Sequence, residues 1–155
     1  MRSLWIFLHL FGGVLWLGGG LAAMFVSLAA RDYGRPEQGM VARLVAKLYA
    51  RLIAPGSAMV VLSGLFLTMT YMGSMNRGEM ASMAVSPWIM AMQGLGLLGA
   101  GIIFAVAYPA VNKLTRIDPV THAEAFDALR RKQRLAGMIG TTCAMVGLIA
   151  AAMYR

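Results

Sequence analysis

The sequence predicts an all-α integral membrane protein: a four-helix bundle with both termini outside and two basic cytoplasmic connections. Three observations carry the prediction. Apolar residues make up 59% of the 155 and charged residues only 13%, where a soluble domain carries about 25% charged, and the mean hydropathy is +0.69. Four stretches are long enough to cross a hydrocarbon core, which takes about 20 apolar residues as a helix. Eleven of the fourteen Lys and Arg residues fall in two of the connections between those stretches. The single cysteine, Cys143, excludes an internal disulfide and any cysteine-cluster metal centre built by this chain alone.

The spans follow in order. Residues 3–30 carry no formal charge and predict a first span near 4–30. Arg2, the apolar run and Ser27-Leu28-Ala29 also resemble a secretory signal, but the run is about twice the length of a signal core, so it reads as a span. Residues 52–76 and 80–112 are again uncharged and predict spans near 52–74 and 87–112. Ser86-Pro87 has the form of an N-cap followed by proline at the first helical position. The last span is expected near 135–154. The whole of 1–155 reads as one transmembrane domain.

Arg31, Arg35, Arg43, Lys47 and Arg51 lie between spans 1 and 2, and Lys113, Arg116, Arg130, Arg131, Lys132 and Arg134 between spans 3 and 4. Only Arg2, Arg77 and Arg155 lie on the other side. The positive-inside rule therefore puts both basic connections in the cytoplasm, consistent with a bacterial inner membrane. Each connection contains an amphipathic helix, expected near 39–51 and 121–134. In the first, Arg43, Lys47 and Arg51 recur at helical spacing as a basic stripe, with Leu44, Val45, Leu48 and Leu52 on the other face. In the second, Thr121 and Glu124 have capping-box spacing, and Asp127 precedes Arg131 by one helical turn. Arg43, Lys47, Arg51, Arg130, Arg131, Lys132 and Arg134 are the candidate contacts to anionic lipid; solvated helix faces are the plain alternative.

Glycines are dense in span 1 (Gly12, Gly13, Gly18, Gly19, Gly20), span 3 (Gly94, Gly96, Gly99, Gly101) and span 4 (Gly137, Gly140, Gly147). Small residues let membrane helices approach closely, so tight packing and room for a flat ligand are both open. Pro55 and Pro109 sit near span ends, where a kink is tolerated.

Chemistry centres on His9. An ionisable residue inside a span is costly unless paired and marks a candidate site. Trp5, Gly12, Gly13, Trp16 and Gly20 share its helical face, giving an imidazole beside a glycine groove. The plain alternative is a histidine bonded to a carbonyl of a neighbouring span. His122 reads as a solvated connection residue. Seven of the fourteen methionines lie in residues 69–92, with Met69, Met72 and Met75, then Met80 and Met83, spaced by three. Thioethers suit Cu(I) and also serve as axial haem ligands, so His9, Met69, Met72, Met90 and Met92 form the candidate metal set. Plain apolar filling is the alternative. No Asp or Glu lies within a span, and no nucleotide or zinc-protease motif occurs.

The Leu8-His9 pair followed by Gly13-Val14-Leu15-Trp16-Leu17-Gly18-Gly19 resembles the first helix of small four-span bacterial membrane proteins related to the copper-resistance protein CopD, and more distantly the HemJ-type proteins. Arg51-Leu52, Ser63-Gly64, Pro87-Trp88 and Tyr108-Pro109 extend the likeness over most of the chain. The resemblance implies His9 as a metal or haem ligand. HemJ-type proteins also look to a lysine near the start of the third span; here that region reads Pro87-Trp88-Ile89-Met90-Ala91-Met92-Gln93, and the three lysines are Lys47, Lys113 and Lys132.

Two functions follow. One is haem b or copper binding near the outer face, in electron transfer or copper handling. The other is an accessory subunit that stabilises a larger membrane complex, through other subunits or further copies of the chain.

Overall fold

A computed structural model describes residues 2–74 and 87–153, and for Tyr71, Met72 and Ser74 it describes the backbone alone. The expected N-cap at Ser86, the loop at 75–86 and Met75, Met80 and Met83 lie outside the described residues. Helix α1 spans Arg2–Ala29 and ends in a 3-10 turn at Ala30–Asp32. Helix α2, Arg35–Leu48, runs through a π-turn at Tyr49–Ile53 into α3, Ala54–Ser74. Helix α4, Pro87–Ile102, passes through a second π-turn at Ile103–Ala107 into α5, Tyr108–Leu114. Helix α6, Ala123–Met153, contains the second connection's helix and the last span without a break. Among the described residues there is no strand. Four continuous helical stretches are long and apolar enough to cross a membrane, as a four-helix membrane bundle requires.

Both π-turns have one cause. Proline lacks the amide hydrogen, and its ring clashes with the carbonyl four residues earlier. For Pro55 that carbonyl belongs to Arg51 and for Pro109 to Ala105, each inside the π-turn. The wider turn relieves the clash and lets the helix continue, a recognised origin of local bulges. It also faces large groups inward: Tyr49 and Ile53 in one turn, and Ile103 in the other, are buried.

The bundle consists of two intimate pairs, α1 with α3 and α4 with α6, joined mainly through α1 and α6. Each pair crosses at glycines. A Cβ on Gly12 would sit 2.8 Å from the Gly56 carbonyl oxygen, and one on Gly56 would sit 2.9 Å from the Gly12 carbonyl oxygen. At the second crossing, a Cβ on Gly99 would lie 2.9 Å from the Gly140 carbonyl oxygen. Lipid supplies no hydrophobic drive between helices, so this backbone proximity, with the dispersion contact it brings, holds the pairs. The buried apolar core runs from Trp16 through Ile53, Ala100 and Ile103 to Tyr49, Val111 and Ala136. It lies in the half of the bundle nearer the two basic connections.

Those connections are clipped together despite their shared positive charge. Arg35 donates two hydrogen bonds to Asp127, at 2.7 and 2.9 Å. Asp127 was expected to pair with Arg131 on its own helix, and the bidentate fork to Arg35 replaces that pair because two parallel N–H donors match a carboxylate's two oxygens. The capping box at Thr121 and Glu124 gives way as well. The helix starts at Ala123, one residue too late for Thr121 to be its N-cap, and the Thr121 hydroxyl lies 2.9 Å from His122 Nδ1. Arg130 is half-buried; it donates to Gln38 Oε1 at 2.7 Å and to the Ser27 carbonyl at 3.1 Å. The second bond satisfies a carbonyl at the C-terminal end of α1, where cationic groups are favoured. Arg130, one of the candidate lipid contacts, thus serves as a clamp between the connections.

Two predictions arise here. Arg35 holds the Asp127 carboxyl below its ordinary value near 3.8. A depressed folded-state value contributes stability that is fully present above the unfolded value and is lost as pH falls through the folded one. Thermal unfolding of the wild type should therefore lose a small increment below about pH 4 that Asp127→Asn lacks. The increment is small because the side chains are 43% and 51% exposed and exposed pairs are well screened. Arg130→Ala should cost more, about 1.5–3 kcal/mol, the range for hydrogen bonds to charged groups. A double-mutant cycle with Gln38→Ala, followed by thermal unfolding in detergent, should return a coupling of at least about 0.5 kcal/mol.

Candidate functional site

His9 lies on α1 one turn before the Gly12–Gly56 crossing, so the crossing sets what its ring meets. Nδ1 is 3.0 Å from the Val60 carbonyl oxygen and 3.1 Å from Ser63 Oγ on α3. Gly64 leaves the space for the ring: a Cβ there would meet His9 Cε1 at 3.1 Å. A carbonyl only accepts, so Nδ1 carries the hydrogen. The buried Ser63 hydroxyl donates to the Met59 carbonyl and is left to accept from the ring. The neutral imidazole then has its lone pair on Nε2, which has no hydrogen-bond partner among the described residues. This is how a ligating histidine is commonly oriented, one nitrogen donating to a carbonyl so that the other faces a metal. It is equally the structural arrangement that the sequence allowed, a histidine bonded to a neighbouring span.

The other candidates are distributed differently. Trp5 is half-buried and stacks on Phe66 of α3, ring centroids 4.1 Å apart, at the same end as His9. Gly12 does not line an open groove. Gly56 and Met59 of α3 fill the space above it, so the glycine serves the helix crossing. Gly13, the next residue, faces open space. Trp16 is 1% exposed and belongs to the core, its ring edge over Gly99. Its Nε1 hydrogen has no partner among the described residues, a cost accepted where a large ring fills the junction of the two helix pairs.

Two of the described candidate methionines do not turn toward His9. Met69 is 60% and Met90 62% exposed, both on the bundle's outer surface. On α3, Met69 is half a revolution from Val60 by helical geometry, so it faces away from the helix surface that holds His9. Met92 is half-buried on α4, with its backbone against Gly147 of α6. The side chain of Met72 lies outside the described residues. No group of three or more His, Cys, Asp or Glu able to hold a metal occurs among the described residues. Among the described candidates, His9 Nε2 is the donor left without a hydrogen-bond partner.

Two features escaped the sequence reading. Gln93 of α4 donates to Thr68 Oγ1 of α3 at 2.9 Å, a polar clip between spans. A cleft of about 250 Å³ also opens between α1 and α6, nearer the basic end. The glycines at 20 and 137 could have signalled it. Gly20 makes room for Thr141, and Gly137 makes room for the Tyr49 hydroxyl reaching over from the π-turn.

Of the remaining basic candidates, Arg43, Lys47, Arg51, Arg131 and Lys132 are exposed, and Arg134 is half-buried in the wall of that cleft. Compared with protein-family models, curated proteins and solved structures, the chain matches none.

Proposed function

We propose that the protein is a multi-pass inner-membrane protein that binds haem b near the outer face, with His9 Nε2 as one axial ligand, and takes part in electron transfer. The carrying observation is the His9 ring: Nδ1 is committed to the Val60 carbonyl and Ser63, which leaves Nε2 with its lone pair available. The first helix's likeness to CopD-related proteins supports the same assignment. The distribution of basic residues supports both termini on the outer side, which places His9 near that face.

His122, the other histidine, lies in the basic connection at the far end of the bundle, roughly 30 Å away across a membrane. Haem held by this chain alone would take His9 with a methionine or His9 by itself, and a second histidine would have to come from another copy or a partner subunit. Haem would supply one-electron chemistry; the chain's own contribution is to fix the tautomer of His9 and hold its ring on α3. Copper handling through a His and Met set is the weaker form of the proposal, since Met69 and Met90 face outward.

The test is a visible absorption spectrum of the detergent-purified protein, oxidised and reduced, with iron and copper counted on the same sample. A Soret band with iron bound at a fixed ratio to the chain is expected. Copper without a Soret band would move the assignment to the methionines. A colourless, metal-free sample, even after haem and Cu(I) are offered, would overturn both.

A second reading rests on a different observation. Met69 and Met90 are large, adaptable apolar side chains on the outer surface, and methionine repacks readily against a partner. They support an accessory subunit seated against a larger membrane protein. Co-purification with a stoichiometric partner, the small chain colourless once separated, would select that reading.

A further inference from the structure

The cleft between α1 and α6 has a polar end and an apolar end. At the basic end it is lined by Arg134, Gln133, Tyr49 and Met24, and farther along by Leu21, Met145 and Val146. Gln133 and Tyr49 are occupied with each other, Gln133 Nε2 donating to the Tyr49 hydroxyl at 3.4 Å. Arg134 has no acidic partner among the described residues, and no carboxylate lines the cleft. An unpaired cation in a half-buried wall is costly in a membrane unless an anion meets it.

The dimensions are informative. Helix α6 rises about 18 Å between Arg134 and Val146, at about 1.5 Å per residue. That is close to one leaflet, half of a hydrocarbon core of about 30 Å. A cleft one leaflet deep, cationic at the headgroup level and apolar above it, matches a single lipid of that leaflet. Its volume of about 250 Å³ is too small for a macrocycle, since pockets for drug-sized ligands run from about 300 Å³, but suits part of an acyl chain.

We propose that this cleft holds one anionic phospholipid, its phosphate on Arg134 and one acyl chain along Leu21, Met145 and Val146. Charge complementarity selects the occupant. Arg131 is exposed one turn before Arg134 on the same side of α6, which adds a second cation near the headgroup end. The proposal rests on the basic end lying at the headgroups, as in the reading above, and is independent of any cofactor at His9.

Native mass spectrometry of the full chain in detergent, titrated with palmitoyl-oleoyl phosphatidylglycerol or with the matching phosphatidylcholine, tests it. One tightly held phosphatidylglycerol per chain is expected, preferred over phosphatidylcholine. Arg134→Gln should weaken it about five-fold, which is what about 1 kcal/mol per basic residue near an anionic surface amounts to. Arg134→Lys should retain most of the binding. Thr142→Phe, which enters the cleft from an exposed position, should weaken both lipids. Arg43→Gln, exposed on the basic stripe outside the cleft, should leave the tight lipid in place. Equal binding of the two lipids, equal losses for Arg134→Gln and Arg43→Gln, or a stable dimer that carries no lipid would overturn the proposal. Absorption measured on the same samples reads the haem assignment separately.

Discussion

Replacing His9 with alanine is expected to abolish the Soret band, and adding imidazole to the purified variant is expected to restore it. Both halves follow from the ring's surroundings. The variant loses the Nδ1 hydrogen bond to Val60, but Val60 lies within α3, where its carbonyl also serves the helix ladder, so no buried acceptor is orphaned. Ser63 keeps its bond to Met59. The structural cost is therefore that of one ordinary hydrogen bond and a truncated half-buried ring, about 1–2 kcal/mol. The bundle should stay helical and elute as the wild type does. A purely structural histidine would give the same small loss of stability with no spectral change to rescue. Retention of the full cofactor by His9→Ala would falsify the ligand assignment.

How far the sequence led differs between fold and site, for physical reasons. The four spans were legible because each apolar run exceeds what a soluble core helix needs, and nothing else in the chain competes for those residues. The two prolines were legible as perturbations; their accommodation by π-turns was not, because a proline within a helical run can equally kink or end the helix. Asp127 shows the limit of local rules. A spacing of four residues finds Arg131, whereas the partner chosen is Arg35, distant in sequence and brought close only when the two connections dock.

Within the site, residue type and face were legible and occupancy was not. His9 stood out because an imidazole in a span is rare. That α3 would meet it at Val60, Ser63 and Gly64 depends on a helix crossing that no spacing encodes. The methionine cluster misled in a particular way. An outward residue of a membrane helix and an inward one are both apolar, so the polar-apolar alternation that orients a soluble helix is missing, and Met69 and Met90 carried no sign of facing outward. Arg130 and Arg134 are likewise indistinguishable as sequence. One turn of helix separates a clamp on α1 from a wall of the cleft.

Gly12 and Gly13 offer a sharp contrast, since they are adjacent, chemically identical and opposite in surroundings. Gly12→Ala should destabilise the bundle by about 1–3 kcal/mol, the usual range for overpacking. Its new methyl would lie 2.8 Å from both the Gly56 carbonyl oxygen and Met59 Cβ, and 3.1 Å from the Val60 amide nitrogen. Two of those neighbours are backbone and cannot rotate away, so α3 must move as a unit. That shift would carry Val60 and Ser63 with it, and Gly12→Ala should therefore also weaken cofactor retention at His9. Gly13→Ala meets nothing within 4 Å and gains the helical preference of alanine, about 0.5–1 kcal/mol in exposed helices. It should be neutral or mildly stabilising. Thermal unfolding in one detergent, with the two variants side by side, decides the matter. Equal effects would mean that α1 and α3 are not held at the Gly12–Gly56 crossing, and the placement of His9 against α3 would fall with it.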